Sequence, residues 1–265
     1  MPENLDQKLD YNPFKQKDRM PNKIDSFNLI RYLKIPIETI IDVGVLSQTH
    51  ELTTCFYDKT HILFEPVPEF QDNINSVYTK KGIKYKLFNM AVSDFDGDSY
   101  LETRSIREGR PITHSRIVEK QSNKSLIVKT ARLDTIMPTL SCEKPYLLKI
   151  DVDGIDLKVL EGASKILDFC NIIVIEANIS NIAERMNCVI SKGFSLFDIV
   201  DFCYYDNILR QVDLIFLNTK TKNDLNLDFY KQNFDIKKWR AYKLKQQMLL
   251  KPTATEVAAK KLFFY

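Results

Sequence analysis

Residues 146–163 read YLLKIDVDGIDLKVLEGA, and this stretch decides the fold. Tyr146 to Ile150 form a short, largely apolar run of strand length, closed by Asp151. From Asp156 the apolar residues Leu157, Leu160, Ala163 and Ile166/Leu167 recur every three or four positions. That is the stripe of an amphipathic helix. A buried-type strand feeding such a helix is one half of a βαβ unit.

The same alternation extends outward on both sides. Upstream, a strand at Thr39–Val43 ends at Gly44, and a helical stretch follows over Thr49–Phe56. A second strand, His61–Glu65, is closed by Pro66 and followed by a helix from about Glu69 to Lys80. The run YKLFNMAV (85–92) reads as one strand, and the DFDGD turn around Gly97 starts a hairpin into SYLET. Residues 104–125 read as a long polar loop, after which SLIVKTARL returns as a strand. Downstream, Ile172–Ala177 is a strand and 182–192 a helix stopped at Gly193. SLFDIV and VDLIFLN are two closing strands joined through CYYDNILRQ. At the front, SFNLIRYL (26–33) reads as a helix capped by Ser26 or Asp25 and stopped by Pro36. The predicted class is α/β: a Rossmann-like, doubly wound, mostly parallel seven-stranded sheet with helices on both faces. An inserted hairpin with a long loop and a helical C-terminal extension complete it. The predicted division is an arm and helix over 1–36, the main domain over 37–219 and the extension over 220–265.

Composition narrows the function classes. Apolar residues make up 44% of the 265, which fits a globular chain. No apolar run approaches the ~20 residues of a membrane span, and the polar N-terminus has no apolar signal-peptide region. Five scattered cysteines without a CxxC pair read as free thiols in a reducing cytoplasm. From Lys220 onward there are 11 Lys/Arg against 4 Asp/Glu; the remainder has 27 against 31. The basic tail reads as an amphipathic appendage that packs on the domain or on a second subunit, with an anionic membrane surface as the alternative contact. No RNA-binding pattern with interleaved aromatics stands out, and no nucleic-acid partner is expected.

In a parallel sheet the residues just past each strand converge, and ligands bind there. Asp42 and Gly44 end the first strand and Glu65 with Pro66 the second. The third gives Asn89, Met90 and Ala91, and Asp151 ends the fourth and Glu176 the fifth. A glycine there lets a ligand approach the backbone. A carboxylate closing the second strand can accept two hydrogen bonds from a ribose diol. The acidic loops DVDGID and DFDGD lack the spacing of a calcium loop, and three dispersed histidines do not make a zinc site, so no metal is expected. His61, ahead of a buried strand, reads as structural.

The series IIDVG, FEPVPEF, AVSDFDGD, RLDTI, LLKIDVDGIDLKVLEGA and IVIEA resembles the FkbM-type methyltransferases over about Ile37 to Asn218. KIDVDGIDLKVLEGA (149–163) is the most specific part. The resemblance implies a class I fold that uses S-adenosylmethionine and O-methylates a sugar, glycan or polyketide hydroxyl. It places Gly44 and its loop, with Asp42 and Thr49, at the methionine end of the cofactor. Glu65 and Pro66 fall at the ribose, and Asn89, Met90 and Ala91 near the adenine. Asp151, His114 and Glu176 become the candidates for acceptor binding and base catalysis, with Asp151 also near the methionine. The family's first loop reads DVGANxGxxT; here Leu46 replaces the Asn and Gln48 the second glycine, although Thr49 fits a branch closer to DVGVxxGT. Arg104, Arg107, Arg110, Arg116 and Lys120 crowd the long loop and suit a phosphate, as in a nucleotide-linked sugar. Two alternatives stay open: methylation of a phosphate or phosphoramidate oxygen or an amine, and a binding module that retains only the fold.

Overall fold

The structure, a computed structural model, describes residues 19–104, 112, 114–118 and 120–227. In chain order the helices are α1 (Lys23–Tyr32), α2 (His50–Cys55), α3 (Gln71–Lys81), α4 (Leu133–Ile136), α5 (Asp156–Gly162), α6 (Ile182–Ser191) and α7 (Thr219–Asp224). The strands are β1 (Thr39–Val43), β2 (Thr60–Phe64), β3 (Tyr85–Phe88), β4 (Ala91–Val92), β5 (Gly97–Arg104), β6 (His114–Val118), β7 (Ser125–Ala131), β8 (Tyr146–Ile150), β9 (Cys170–Asn178), β10 (Phe194–Tyr205) and β11 (Ile208–Asn218).

Seven strands form the main sheet in the order β10-β11-β9-β8-β1-β2-β3. β3, β2, β1, β8 and β9 run parallel; β11 and β10 close the sheet antiparallel. The order reverses between β1 and β8, which opens a crevice at their carboxyl ends. β1 and β8 are buried along their whole length, as strands covered on both faces must be. Leu133, Val159, Leu160 and Val189 from α4, α5 and α6 pack on one face with Ile41, Phe64, Leu148 and Ile173. Phe27, Ile30 and Leu52 from α1 and α2 pack on the other with Ile40, Leu147 and Ile172. The architecture is the expected doubly wound one.

Four local expectations are corrected. YKLFNMAV is two strands: β3 edges the main sheet, while β4 leaves it and pairs in parallel with β7 in a second sheet ordered β4-β7-β5-β6. The expected hairpin across DFDGD does not form; β5 pairs instead with β6 and β7, both antiparallel. Asp96 of that turn accepts the Arg132 N–H at 2.9 Å and the Thr135 hydroxyl at 2.9 Å, so it ties the turn to the start of α4. The polar segment read as loop contains β6, which pairs with β5 from His114↔Arg104 to Val118↔Tyr100. Finally, α1 begins at Lys23 with Asn22 as its cap, whose side chain accepts the Asp25 N–H at 2.8 Å. Ser26 is buried instead and donates its hydroxyl to Asp198 on β10. Residues 228–265, most of the basic tail, lie outside the described residues, as do Arg107 and Arg110.

Candidate active site

The crevice at the reversal of strand order is a cleft of about 510 Å³. That is within the range of small-molecule sites. Its walls come from the carboxyl ends of β1, β2, β8 and β9, from the Met90–Val92 segment, and from Leu101 and Ser115–Ile117 of the second sheet. The inserted sheet therefore supplies one wall, where the sequence suggested a hairpin and a long loop.

Gly44 is the tightest point. Its φ is +86°, and a Cβ built on it would lie 2.0 Å from the Asp151 carbonyl oxygen. β1 and β8 can therefore end side by side only with glycine here. The next residues turn sharply, and Leu46 itself adopts φ +57°. A left-handed leucine is disfavoured by about 1–2 kcal/mol, whereas the Asn of the family pattern tolerates that region. Gln48 lines the cleft and is not among the residues with positive φ, so its side chain replaces glycine without backbone strain.

Glu65 holds this loop. Its carboxylate is 2% exposed and accepts the Leu46 N–H at 2.8 Å and the Val67 N–H at 2.9 Å. Burial pushes its pKa up to about 7 against the pull of those N–H groups. A carboxylate offers about four acceptor positions, so capacity remains for a ribose hydroxyl in the cleft that Glu65 and Pro66 line. Met90 and Ala91 line the same cleft beside Phe64 and Val92, an apolar slot fit for an adenine ring. Asn89 is exposed behind them; oriented with its nitrogen toward the Glu65 and Pro66 carbonyls, at 3.2 and 3.1 Å, it braces that turn. These features fit S-adenosylmethionine: a backbone-only approach at Gly44, a carboxylate at the second strand and an apolar slot beyond it. We expect Glu65→Ala to weaken S-adenosylhomocysteine binding by about 1.5–3 kcal/mol, roughly 10- to 150-fold. Calorimetry on the folded variant checks this, and unchanged affinity removes Glu65 from the ribose site.

Asp42 is fully buried beneath the loop. Desolvation raises its pKa, and Lys149 and the Thr49 side chain oppose the rise. Lys149 was missed in the sequence, although a lysine in a five-residue buried strand demands partners. Its ammonium reaches Asp42 Oδ1 at 3.3 Å, the Gly44 carbonyl at 3.3 Å and Asp151 Oδ2 at 3.1 Å. Burial alone would neutralise it; Asp151 and Asp42 reverse that and keep it charged.

Asp151 opens into the cleft with 42% of its side chain exposed. Although desolvation works against ionisation, Lys149 holds its carboxyl below the usual range, and Glu176 hydrogen-bonds to it. Glu176 moves the opposite way, up to about 8, through desolvation and the nearby charges of Asp151, Asp213 and Asp153. Burial and mutual repulsion thus favour the neutral form on Glu176, while Lys149 favours the charged form on Asp151. Glu51, Asp153, Asn178 and Gln211 line the same cleft. Asp156 does not; it turns into a buried ion pair with Arg185 at 2.6 Å. His114 opens β6, next to the lining residue Ser115, and its side chain lies outside what is described. His61 donates its Nε2–H to the Phe56 carbonyl, 2.9 Å away, and burial holds it neutral down to about pH 4. Among the described residues no three His, Cys, Asp or Glu side chains gather as a metal site, and no helix is long and apolar enough to cross a membrane.

Residues 42–203 match the family model described as the methyltransferase FkbM domain. A hexuronic acid methyltransferase, AglP, of Haloferax volcanii is 24% identical over 139 residues, which covers 52% of this chain and 55% of that one. The chain thus spans about half the length of that relative. Among solved structures, an rRNA methylase from Streptococcus thermophilus is 9% identical, with TM-score 0.44 over 73% of this chain and 93% of that one. A precorrin-6y C5,15-methyltransferase from Geobacter metallireducens is 10% identical, with TM-score 0.39 over 72% and 86%. With well over half its length in the family model and the cleft formed by that segment's strand ends, the chain belongs to the FkbM family of methyltransferases, whose methyl donor is S-adenosylmethionine.

Proposed function

We propose that this protein O-methylates a hydroxyl of a sugar or glycan precursor. The observation that carries the reading is the Asp151–Glu176 pair at the ends of β8 and β9, in the same cleft that Glu65 lines at the end of β2. S-adenosylmethionine, when bound, supplies an electrophilic methyl on a sulfonium. The chain's part is to orient the acceptor and take its proton. A hydroxyl seated against Asp151 would lose its proton to that ionised carboxylate as its oxygen takes the methyl, the methyl–sulfur bond breaking and the sulfur leaving as the neutral thioether of S-adenosylhomocysteine, while Glu176 would steady the receiving carboxylate by its hydrogen bond. Asn178 and Gln211, directly opposite each other on β9 and β11, offer amide donors and acceptors to neighbouring hydroxyls. Arg116, exposed on the β6 wall, suits an anionic group on the acceptor, such as a uronic carboxylate or a phosphate. The hexuronic acid named for the Haloferax relative supports the sugar class. Five free cysteines fit a reducing cytoplasm.

The test is methyl-labelled S-adenosylmethionine offered with a panel of glycosides, with and without hexuronic acid residues and sugar phosphates. The expected product is a methyl ether that survives mild base. Label found only in base-labile esters, in methyl phosphates or on amines would replace the O-methyl reading with one of the alternatives.

A further inference from the structure

The family match begins at Asp42, yet a residue well before it reaches into the charge system of the cleft. Lys23, at the first position of α1, extends its ammonium to Asp213 of β11 at 2.6 Å, Glu51 of α2 at 3.1 Å and Asp201 of β10 at 3.1 Å. Only 14% of its side chain is exposed. A cation at the start of a helix opposes the helix dipole, so this lysine is placed for its tertiary partners.

Asp213 is the link. In the β9–β11 register it stands directly opposite Glu176. Like charges directly across a sheet repel. Glu176 is hydrogen-bonded on its other side to Asp151, which Lys149 holds at 3.1 Å. The resulting order is Lys149, Asp151, Glu176, Asp213, Lys23: three carboxyl groups in a row, bracketed by two ammonium groups. Asp42 adjoins Lys149, Asp153 acts on Glu176, and Glu51 and Asp201 adjoin Lys23. The two lysines offset the repulsion along the row, and Glu176, at its centre, is the carboxyl that burial and its neighbours' charges push toward the neutral form.

We propose that Lys23, contributed by a helix outside the family-matched segment, is a positioning residue that fixes how the Asp151–Glu176 pair holds its proton. Its consequence for catalysis rests on the proposed role of that pair; the charge row itself does not, and it is read without acceptor or cofactor. The direction of the known influences agrees: Lys23 acts to lower the pKa of both Asp213 and Asp151.

The experiment is a carboxyl-carbon NMR titration of the full chain, following Asp151, Glu176 and Asp213. In Lys23→Met the last proton leaves the three-carboxyl row at a pH higher by about one unit or more, and Lys23→Arg restores the wild-type midpoint. Arg31→Met is the control for helix docking: it breaks the α1 contact to Asp58 at 2.6 Å without touching the row, and it leaves the midpoint unchanged. Asp213→Asn shifts the midpoint downward, and it carries the test alone if Lys23→Met does not fold. An unmoved midpoint in folded Lys23→Met, an equal shift in Arg31→Met, or an unchanged or upward midpoint in Asp213→Asn would each overturn the proposal. Failure of methyl transfer with the expected titration shifts intact would instead reject the proposed function.

Discussion

Gly44→Ala is expected to destabilise the protein by at least about 3 kcal/mol, lowering its melting temperature by roughly 6–12 °C. Two effects add. The backbone at φ +86° disfavours any side chain, and the new Cβ would meet the Asp151 carbonyl, which is backbone and cannot swing aside. Relief requires β1 and β8 to part at their ends. That movement pulls the Gly44 carbonyl from Lys149 and the Gly44 N–H from the Phe64 carbonyl, 3.0 Å away. Cofactor affinity is therefore expected to fall by more than tenfold even at temperatures where the variant stays folded. Gly82→Ala is the matched control, since Gly82 has φ +66° but a methyl group added there would meet nothing within 4 Å. It should lose only about 1 kcal/mol and bind cofactor normally. Equal losses in the two variants, read by thermal melts, would show that backbone conformation alone, and not the Asp151 contact, makes glycine necessary.

The second large effect is on turnover. Asp151→Asn is expected to lower kcat by about 100-fold or more, the range for removing a positioned general base. Asparagine keeps the size and can still hydrogen-bond to Glu176, but it cannot take a proton from a hydroxyl. Lys149 keeps Asp42 and the Gly44 carbonyl as partners, so the fold of the cleft should survive. S-adenosylhomocysteine affinity should stay within a few-fold of wild type. A loss of affinity as large as the loss of turnover would move Asp151 from base to cofactor contact, the other role its position suggests. Turnover near wild type would leave His114 and Glu176 as the remaining candidate bases.

The parallel core was legible because its strands are continuous apolar runs and its helices carry clear stripes. YLLKI, TIIDV and IIVIEA each became a buried strand. The second sheet was not legible. YKLFNMAV gives no local sign that the chain changes sheets at Asn89 and Met90, where the Asn89 amide reaches the Glu65 and Pro66 carbonyls of the turn after β2, a contact distant in sequence. β6 is a short strand of mixed polarity paired along one side only, with β5, so neither alternation nor apolar content marks it. The strand-end carboxylates Glu65, Asp151 and Glu176 were found because topology brings them to one crevice. Lys149 had a readable signal, a charge inside a buried strand. Lys23 and Asp213 had none, since only the folded register brings an N-terminal helix beside a C-terminal strand.

Every role proposed for the chain in methyl transfer requires that the ends of β1 and β2 hold the cofactor despite Leu46 and Gln48. Calorimetric titration of S-adenosylhomocysteine into the full chain tests it most directly. One saturable site per chain is the expected result. No saturable heat up to about 1 mM ligand, the level of the weakest specific binding, with protein shown to be folded, would contradict it and leave a fold that has lost its methyl donor.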